Sequence, residues 1–408
     1  MLCRVGEMEV EAVGDAPLAG LNVVEISMYA QGPIAGMILA SLGAEVVKIE
    51  PVGSQDPFRT FAGMFGVQLD EDGAAQTFAS VNRGKRCIAL DVASEAGRPV
   101  FHRLVEEADV FVSNLRASAL AAMGADVETL TALNPRLVYA RGAGFGFVGE
   151  IADDPCQDTV GMAYSGFMDM VSTTEEPNYP PGALSDVATG TNLASAIMTG
   201  LVKRGITGEG SVVGTSQVQT MMWLQTFGIG FAANQGVRMA RFDRTKAASP
   251  MLCIYETSNG WISIGAATDE QWSLVATTMD LGHLLGDERF VSIGALIANS
   301  ADAAPFLMGR FKEETTDHWW KLLRAAGIWV SPVNRYDQLH TDPHLVANNY
   351  IVTHPDGMVG VPVPYDVDSF TGMGGTASTY GEDTDAVLEQ LGYNPDQLIQ
   401  LRVAGAIW

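Results

Sequence analysis

Apolar residues along the first half of the chain fall in short unbroken runs, separated by stretches with helical spacing. Residues 21–27 (LNVVEIS) read as a buried strand, 32–43 (GPIAGMILASLG) as a helix with small residues for close packing, and 44–50 (AEVVKIE) as the next strand. Residues 86–92, 109–114 and 136–146 continue the strand series, with a helix starting at an N-cap Ser94 between the first two. Strands that are apolar throughout belong in a parallel sheet covered on both faces, so the pattern predicts an α/β fold. After Asp186 a helix is predicted to about Arg204, then a turn at 207–211, a short strand, and one further helix over 217–234.

From about Met251 the texture changes. Residues 252–267 (LCIYETSNGWISIGAA) carry an Asn-Gly turn between β-rich flanks, which predicts a hairpin. Helical patterns follow at 268–280, 300–314 and 316–327, giving a smaller α+β domain, and 382–405 is helical again.

Composition narrows the function. Apolar residues make up 47% and charged residues 18% of the 408, the profile of a folded protein. The net charge of −24 comes from 48 acidic residues against only 24 basic ones, a shortage of base that argues against general nucleic-acid binding. Cys3, Cys87, Cys156 and Cys253 form no CxxC pair and read as free thiols of a reducing cytoplasm. The N-terminus lacks the basic start and apolar block of a signal peptide, and no run approaches 18 apolar residues, so no membrane association is expected.

Several motifs then follow in fixed order: PLAGLNVVEIS (17–27), GPIAGMILASLGAEVVKIEP (32–51), NRGKRCIALDV (82–92), DVFVSNLR (109–116), LNPRLVYARGAGFG (133–146), GALSDVATG (182–190), AAGIWVSPVN (325–334) and DPHLVANNYIV (342–352). The series resembles the family III CoA-transferases, which include formyl-CoA transferase and L-carnitine CoA-transferase, with α-methylacyl-CoA racemase as a structural cousin. The resemblance covers nearly the whole chain after about residue 17. It implies a large Rossmann-like domain, a smaller α+β domain and an interlocked, ring-like homodimer. On that basis the expected organisation is a tail at 1–17 and a large CoA-binding domain at 18–215, completed by 350–408. A linker helix and connection at 216–250, the small domain at 251–335 and a return linker at 336–349 make up the rest.

The resemblance makes Asp186 a nucleophile that forms an aspartyl anhydride and then an aspartyl-CoA thioester. The residues add a physical reason. Asp186 precedes VATGTNLASAIMTGLV, so it stands at a helix N-terminus, where the dipole and free N–H groups favour the ionised form. The same placement fits a plain N-cap. The glycine-rich segment after the strand, with Gly144, Phe145 and Gly146, reads either as a donor of backbone N–H groups to an oxyanion or as a simple turn.

CoA enters as a substrate, with no tightly bound cofactor and no metal expected. Its phosphates call for cations. Arg59, Arg83, Lys85, Arg86, Asn114 and Arg116 are the candidates, with Leu90 and Leu115 beside them; NRGKR reads equally as a solvated basic turn. Where relatives often carry cations this chain has Pro51, Ala93 and Ala122. Tyr29, Ala30, Gln157, Asp158 and Met168 are candidates for the pocket of a small carboxylic acid. The racemase relatives use a His–Asp step where this chain has Gln157–Asp158, and glutamine cannot exchange a proton at neutral pH. Asp158 reads as a pocket partner or as a cap of the helix that follows it. Racemisation, and a non-catalytic subunit of a mixed oligomer, stand as alternatives. His340 and His344 flank a helix-breaking TDP, which disfavours a metal pair. His102 reads as packing or surface, and His318 heads HWWKLL, a core stripe.

Overall fold

The computed structural model describes residues 16–61, 63–64, 67–68, 71–367, 370, 372 and 375–408; the expected tail, with Cys3, falls outside them except for its last two residues. The chain divides into two compact units, the first comprising residues up to Met168, Tyr179–Ile229 and Pro343–Trp408, the second Asp169–Asn178 and Gly230–Asp342.

The first unit runs β1 (Asn22–Ile26), α1 (Gln31–Ser41), β2 (Glu45–Glu50), β3 (Gly63–Met64), β4 (Val67–Gln68), α2 (Glu71–Asn82), β5 (Arg86–Ala89), α3 (Gly97–Glu106), β6 (Val110–Ser113), α4 (Ala117–Met123), α5 (Val127–Leu133), β7 (Val138–Ala143) and α6 (Asp158–Tyr164). After α7 (Phe167–Met170) come α8 (Leu184–Thr207), β8 (Ser211–Ser216) and α9 (Gln217–Leu224). Six strands form one parallel sheet in the order β5-β2-β1-β6-β7-β8. Side chains alternate across it, as the two-residue period of a strand requires. Val24, Ile26, Phe111 and Tyr139 enter one core with α3 and α5; Val23, Val46, Val110, Val112 and Val138 enter the other with α1 and α8. Helices α1 and α8 meet closely at Gly190, where a Cβ would come within 2.6 Å of the Gln31 carbonyl oxygen. The C-terminal segment returns to this unit: Ile407 bridges to Leu90, and Val387, Leu388 and Leu398 join the first core.

Beneath the sheet's carboxyl edge lies a buried ion network. Glu25 accepts from Lys85 at 2.9 Å and from Lys48 at 3.4 Å, and Lys48 also reaches Asp56 at 3.0 Å. Glu50 holds Arg59 at 2.7 Å. Gly36 makes the room, since a Cβ there would fall 1.8 Å from Glu25 Oε2.

The second unit carries an antiparallel sheet of β9 (Leu252–Glu256), β10 (Trp261–Gly265) and β11 (Trp329–Pro332) in the order β11-β10-β9. The expected hairpin is present, its loop closed by Thr257 N donating to Gly260 O at 2.9 Å. Trp272, Phe311 and Trp319 are fully buried in its core, with Tyr255 stacked on Phe311 at 4.8 Å. Leu323 of the HWWKLL stripe joins them, whereas Leu322 stays exposed.

Three local expectations are corrected. The single helix over 217–234 is two, α9 and α10 (Thr226–Gln235), interrupted at Gln225, whose side chain donates to Ser165 O and Met221 O. The helix after Ser94 begins at Gly97, with Ser94 Oγ accepting from Gly97 N at 2.9 Å. The helix that carries Asp186 starts two residues earlier, at Leu184.

Candidate active site

The carboxyl ends of parallel strands gather the loops that hold sites in open α/β sheets, because the chain reverses there. Tyr29 and Ala30 follow β1, Leu90 follows β5, Asn114 to Arg116 follow β6, Gly144 to Gly146 follow β7, and Gln217 follows β8. Asn114 clasps two of these loops, accepting from Met28 N at 3.0 Å and donating to Met28 O at 2.8 Å. Tyr29 has a left-handed backbone, φ 61°, and its N–H goes to Asp56.

Asp186 lies in the first turn of α8. It is not the N-cap: that position is Ala183, held at φ 52° with no capping side chain. The open amides are capped from elsewhere. Asp158 Oδ1 accepts from Ser185 N at 2.8 Å and from Asp186 N at 3.2 Å. Asp158 therefore caps α8, rather than the helix it begins; Gln157 caps that one by accepting from Thr159 N. The amides expected to hold Asp186 ionised are thus spent on Asp158.

The electrostatic consequence reverses the expectation. Removal of water pushes the Asp186 carboxyl up to about 7, and the Asp158 charge adds to it; a hydrogen bond from Gln217 opposes both. Asp158 is also raised by burial, with the Ser185 and Asp186 amides working against the shift, and its Oδ2 is buried without a partner among the described residues.

Two residues overlooked in the sequence complete the surroundings of Asp186. Gln217 Nε2 donates to Asp186 Oδ1 at 2.5 Å, and Cys156 Sγ lies 3.1 Å from Gln217 Oε1. Gly144 leaves space for the cysteine, since a Cβ there would fall 2.1 Å from Cys156 Cβ. A strand-to-helix switch in SVVGTSQVQT, with Ser216 capping α9 through Gln219 N, was the available signal for Gln217. Phe145 packs edge-on against Tyr164 at 5.2 Å, Gln157 is exposed, and Met168 is half-buried.

The candidate cations are placed differently from a solvated basic turn. Lys85 is fully buried, bonded to Glu25, Pro33 O and Asn82. Arg83 is buried and pairs with Asp356 at 2.7 Å. Arg59 is gripped by Glu50 and lies over the Phe78 ring at 3.6 Å, while Arg86 meets Gln390 and Asp383. Leu90 is buried, and Leu115 is partly so. Arg116 is exposed, and among the described residues its guanidinium makes no hydrogen bond or ion pair. No group of three or more His, Cys, Asp or Glu suited to a metal occurs among the described residues, and no helix there is long and apolar enough to cross a membrane.

The family model for CoA-transferase family III matches residues 18–384. The chain belongs to that family. It is 29% identical to the human succinyl-CoA:glutarate CoA-transferase, over 85% of this chain and 79% of that protein. It is equally 29% identical to the acetyl-CoA:oxalate CoA-transferase of Acetobacter aceti, over 82% and 85%. Among solved structures, a CaiB/BaiF family protein from Brucella suis superposes with a TM-score of 0.80 at 29% identity, covering 92% of this chain and 99% of that one. Rv3272 of Mycobacterium tuberculosis gives 0.81 at 25% identity, covering 91% and 98%. The protein is a CoA-transferase enzyme whose mixed α/β fold, with its parallel six-stranded sheet, is that of these relatives.

Proposed function

We propose that the protein moves CoA from an acyl-CoA donor to a small carboxylic acid, with Asp186 as the covalent nucleophile. One observation carries the reading. Near the sheet's carboxyl edge the buried carboxylates Glu25, Glu50 and Asp56 each have a cation, whereas Asp158 and Asp186 have none among the described residues; of those two, Asp158 is buried with Oδ1 on two backbone amides, and Asp186 is only partly buried. A carboxylate with little water around it and no counter-ion is a reactive oxygen nucleophile.

The steps balance on this chain's own atoms. An Asp186 oxygen attacks the thioester carbonyl, the C–S bond breaks, and CoA leaves as thiolate with the electron pair. The thiolate attacks Cγ of the mixed anhydride and releases the donor carboxylate, leaving aspartyl-CoA. The acceptor carboxylate attacks Cγ, thiolate departs, and its return to the acceptor's acyl carbon frees Asp186.

The strand order, with its reversal between β2-β1 and β6, supports a Rossmann-like reading of the CoA-binding unit. Arg116, Asn114, Leu115 and Leu90 are the proposed CoA contacts from strand ends, with Tyr29, Ala30, Gly144, Phe145 and Gly146 nearer the acyl group. Contact from Arg59, Arg83, Lys85 or Arg86 would compete with the bonds described above. Trp223 at 70% and Phe227 at 80% exposure support a second copy of the chain as partner, since such apolar surface is costly in water. The cytoplasm is the proposed compartment.

The acceptors named for relatives, glutarate and oxalate, head the panel to test. Exchange of labelled CoA between a donor thioester and free acid supports transfer. Epimerisation without exchange would replace this reading with racemisation, and neither activity would leave a non-catalytic subunit. Because the ionised form attacks, kcat/KM should rise with pH to a plateau through a midpoint near 7, falling about tenfold per unit below it. A flat profile between pH 5 and 8 would contradict the protonation state assigned to Asp186.

A further inference from the structure

We propose that Gln217 is a catalytic residue of the transfer: its amide holds Asp186 Oδ1, leaves Oδ2 as the attacking atom, and then stabilises the oxyanion that forms on Oδ1. The inference rests on the reading of Asp186 as nucleophile.

The geometry is specific. Gln217 is 2% exposed, and its Nε2 lies 2.5 Å from Asp186 Oδ1. Oδ2 takes no hydrogen bond among the described residues. When Oδ2 attacks the thioester carbonyl, it becomes the bridging oxygen of the anhydride, and Oδ1 remains as the carbonyl oxygen on Cγ. The returning thiolate then adds to Cγ. The electron pair of the Cγ–Oδ1 double bond moves onto Oδ1, directly opposite the Gln217 donor. Collapse restores that bond, breaks Cγ–Oδ2 and sends Oδ2 out with the donor acid. A preorganised amide donor at the developing charge is what such an addition needs.

The surrounding residues hold the amide in that orientation. Cys156 donates from Sγ to Gln217 Oε1, so Nε2 is the end that faces Asp186. Burial pushes the Cys156 thiol up to about 11, which keeps it protonated and a donor at neutral pH. Val218 N donates to Gly144 O at 3.2 Å and fixes the start of α9. The stem fills the space left by Gly161, where a Cβ would come within 2.7 Å of Gln217 Cβ.

The test uses two variants that keep this stem. Gln217→Met removes the donor, and Gln217→Glu keeps the shape but sets a second carboxyl group against Asp186. Both should lower plateau kcat by roughly 100-fold, with the loss in kcat rather than in KM for the acyl-CoA. Both should move the acid limb of the pH profile upward, Glu further than Met, because the bond that opposed protonation is gone. A side chain that only packs would leave the midpoint in place. A kcat and midpoint equal to the parent's, or a loss carried by KM alone, would overturn the proposal. Asp186→Ala in the same assay separates the two readings. Its inactivity beside parent-like Gln217 variants sinks the role of Gln217 alone, and activity retained by Asp186→Ala sinks the nucleophile itself.

Discussion

Asp186→Ala is expected to lower CoA transfer by roughly 10⁴-fold or more, because every covalent step of the proposed mechanism passes through that carboxyl group. Asp158 is no substitute, since it is buried and its Oδ1 is committed to the amides of Ser185 and Asp186. The loss should come without loss of fold. The carboxyl is shifted up from 3.8 to about 7, so the folded chain binds more protons than the unfolded chain between those values. Stability associated with the protonated form is therefore full below about pH 4 and lost as pH rises through 7. At pH 8 the native protein carries an unpaired, poorly solvated charge. Asp186→Asn should accordingly melt at a higher temperature than the parent at pH 8, with the advantage shrinking toward pH 4. Calorimetry across that range checks the sign, and a variant less stable at pH 8 would contradict the assignment.

The second large effect concerns stability. Glu25→Gln should destabilise the first unit by about 3–5 kcal/mol, the range for breaking a buried ion pair from one side. Glu25 is fully buried between Lys48 and Lys85, both also buried. Lys85 is already pushed down to about 8 by burial, against the pull of Glu25, so losing that carboxylate leaves it the weaker of the two cations. Adding Lys85→Met should recover much of the loss, because charge balance returns around Lys48 and Asp56. Denaturant unfolding of Glu25→Gln, Lys85→Met and the double variant measures the coupling; a double-variant loss equal to the sum of the two single losses would show that the ions act independently.

The parallel sheet was legible because its strands are apolar on both faces, a local signal. The Asn-Gly hairpin was legible for the same reason. What escaped was set by partners far apart in sequence. Lys85 sits in NRGKR, which reads as a basic turn, yet its counter-ion Glu25 lies 60 residues away. The helix of Asp186 was found, but its cap is Asp158, 28 residues upstream of Asp186. An aspartate near a helix start predicts a carboxylate eased into ionisation; once another carboxylate takes the amides, burial prevails. Gln217 carried only a weak local signal, a strand passing into a capped helix, and its meaning depends on Asp186 and Cys156 meeting it in space. The position of Asp186 in the chain came from an ordered set of motifs, which composition and periodicity alone would not have supplied.

The most direct measurement is to trap the intermediate. The protein is incubated with a donor thioester that supports exchange, treated with hydroxylamine, digested and examined by mass spectrometry. The account predicts a hydroxamate on Asp186, dependent on the donor and absent from Asp186→Asn. A donor-dependent hydroxamate on any other residue would contradict it.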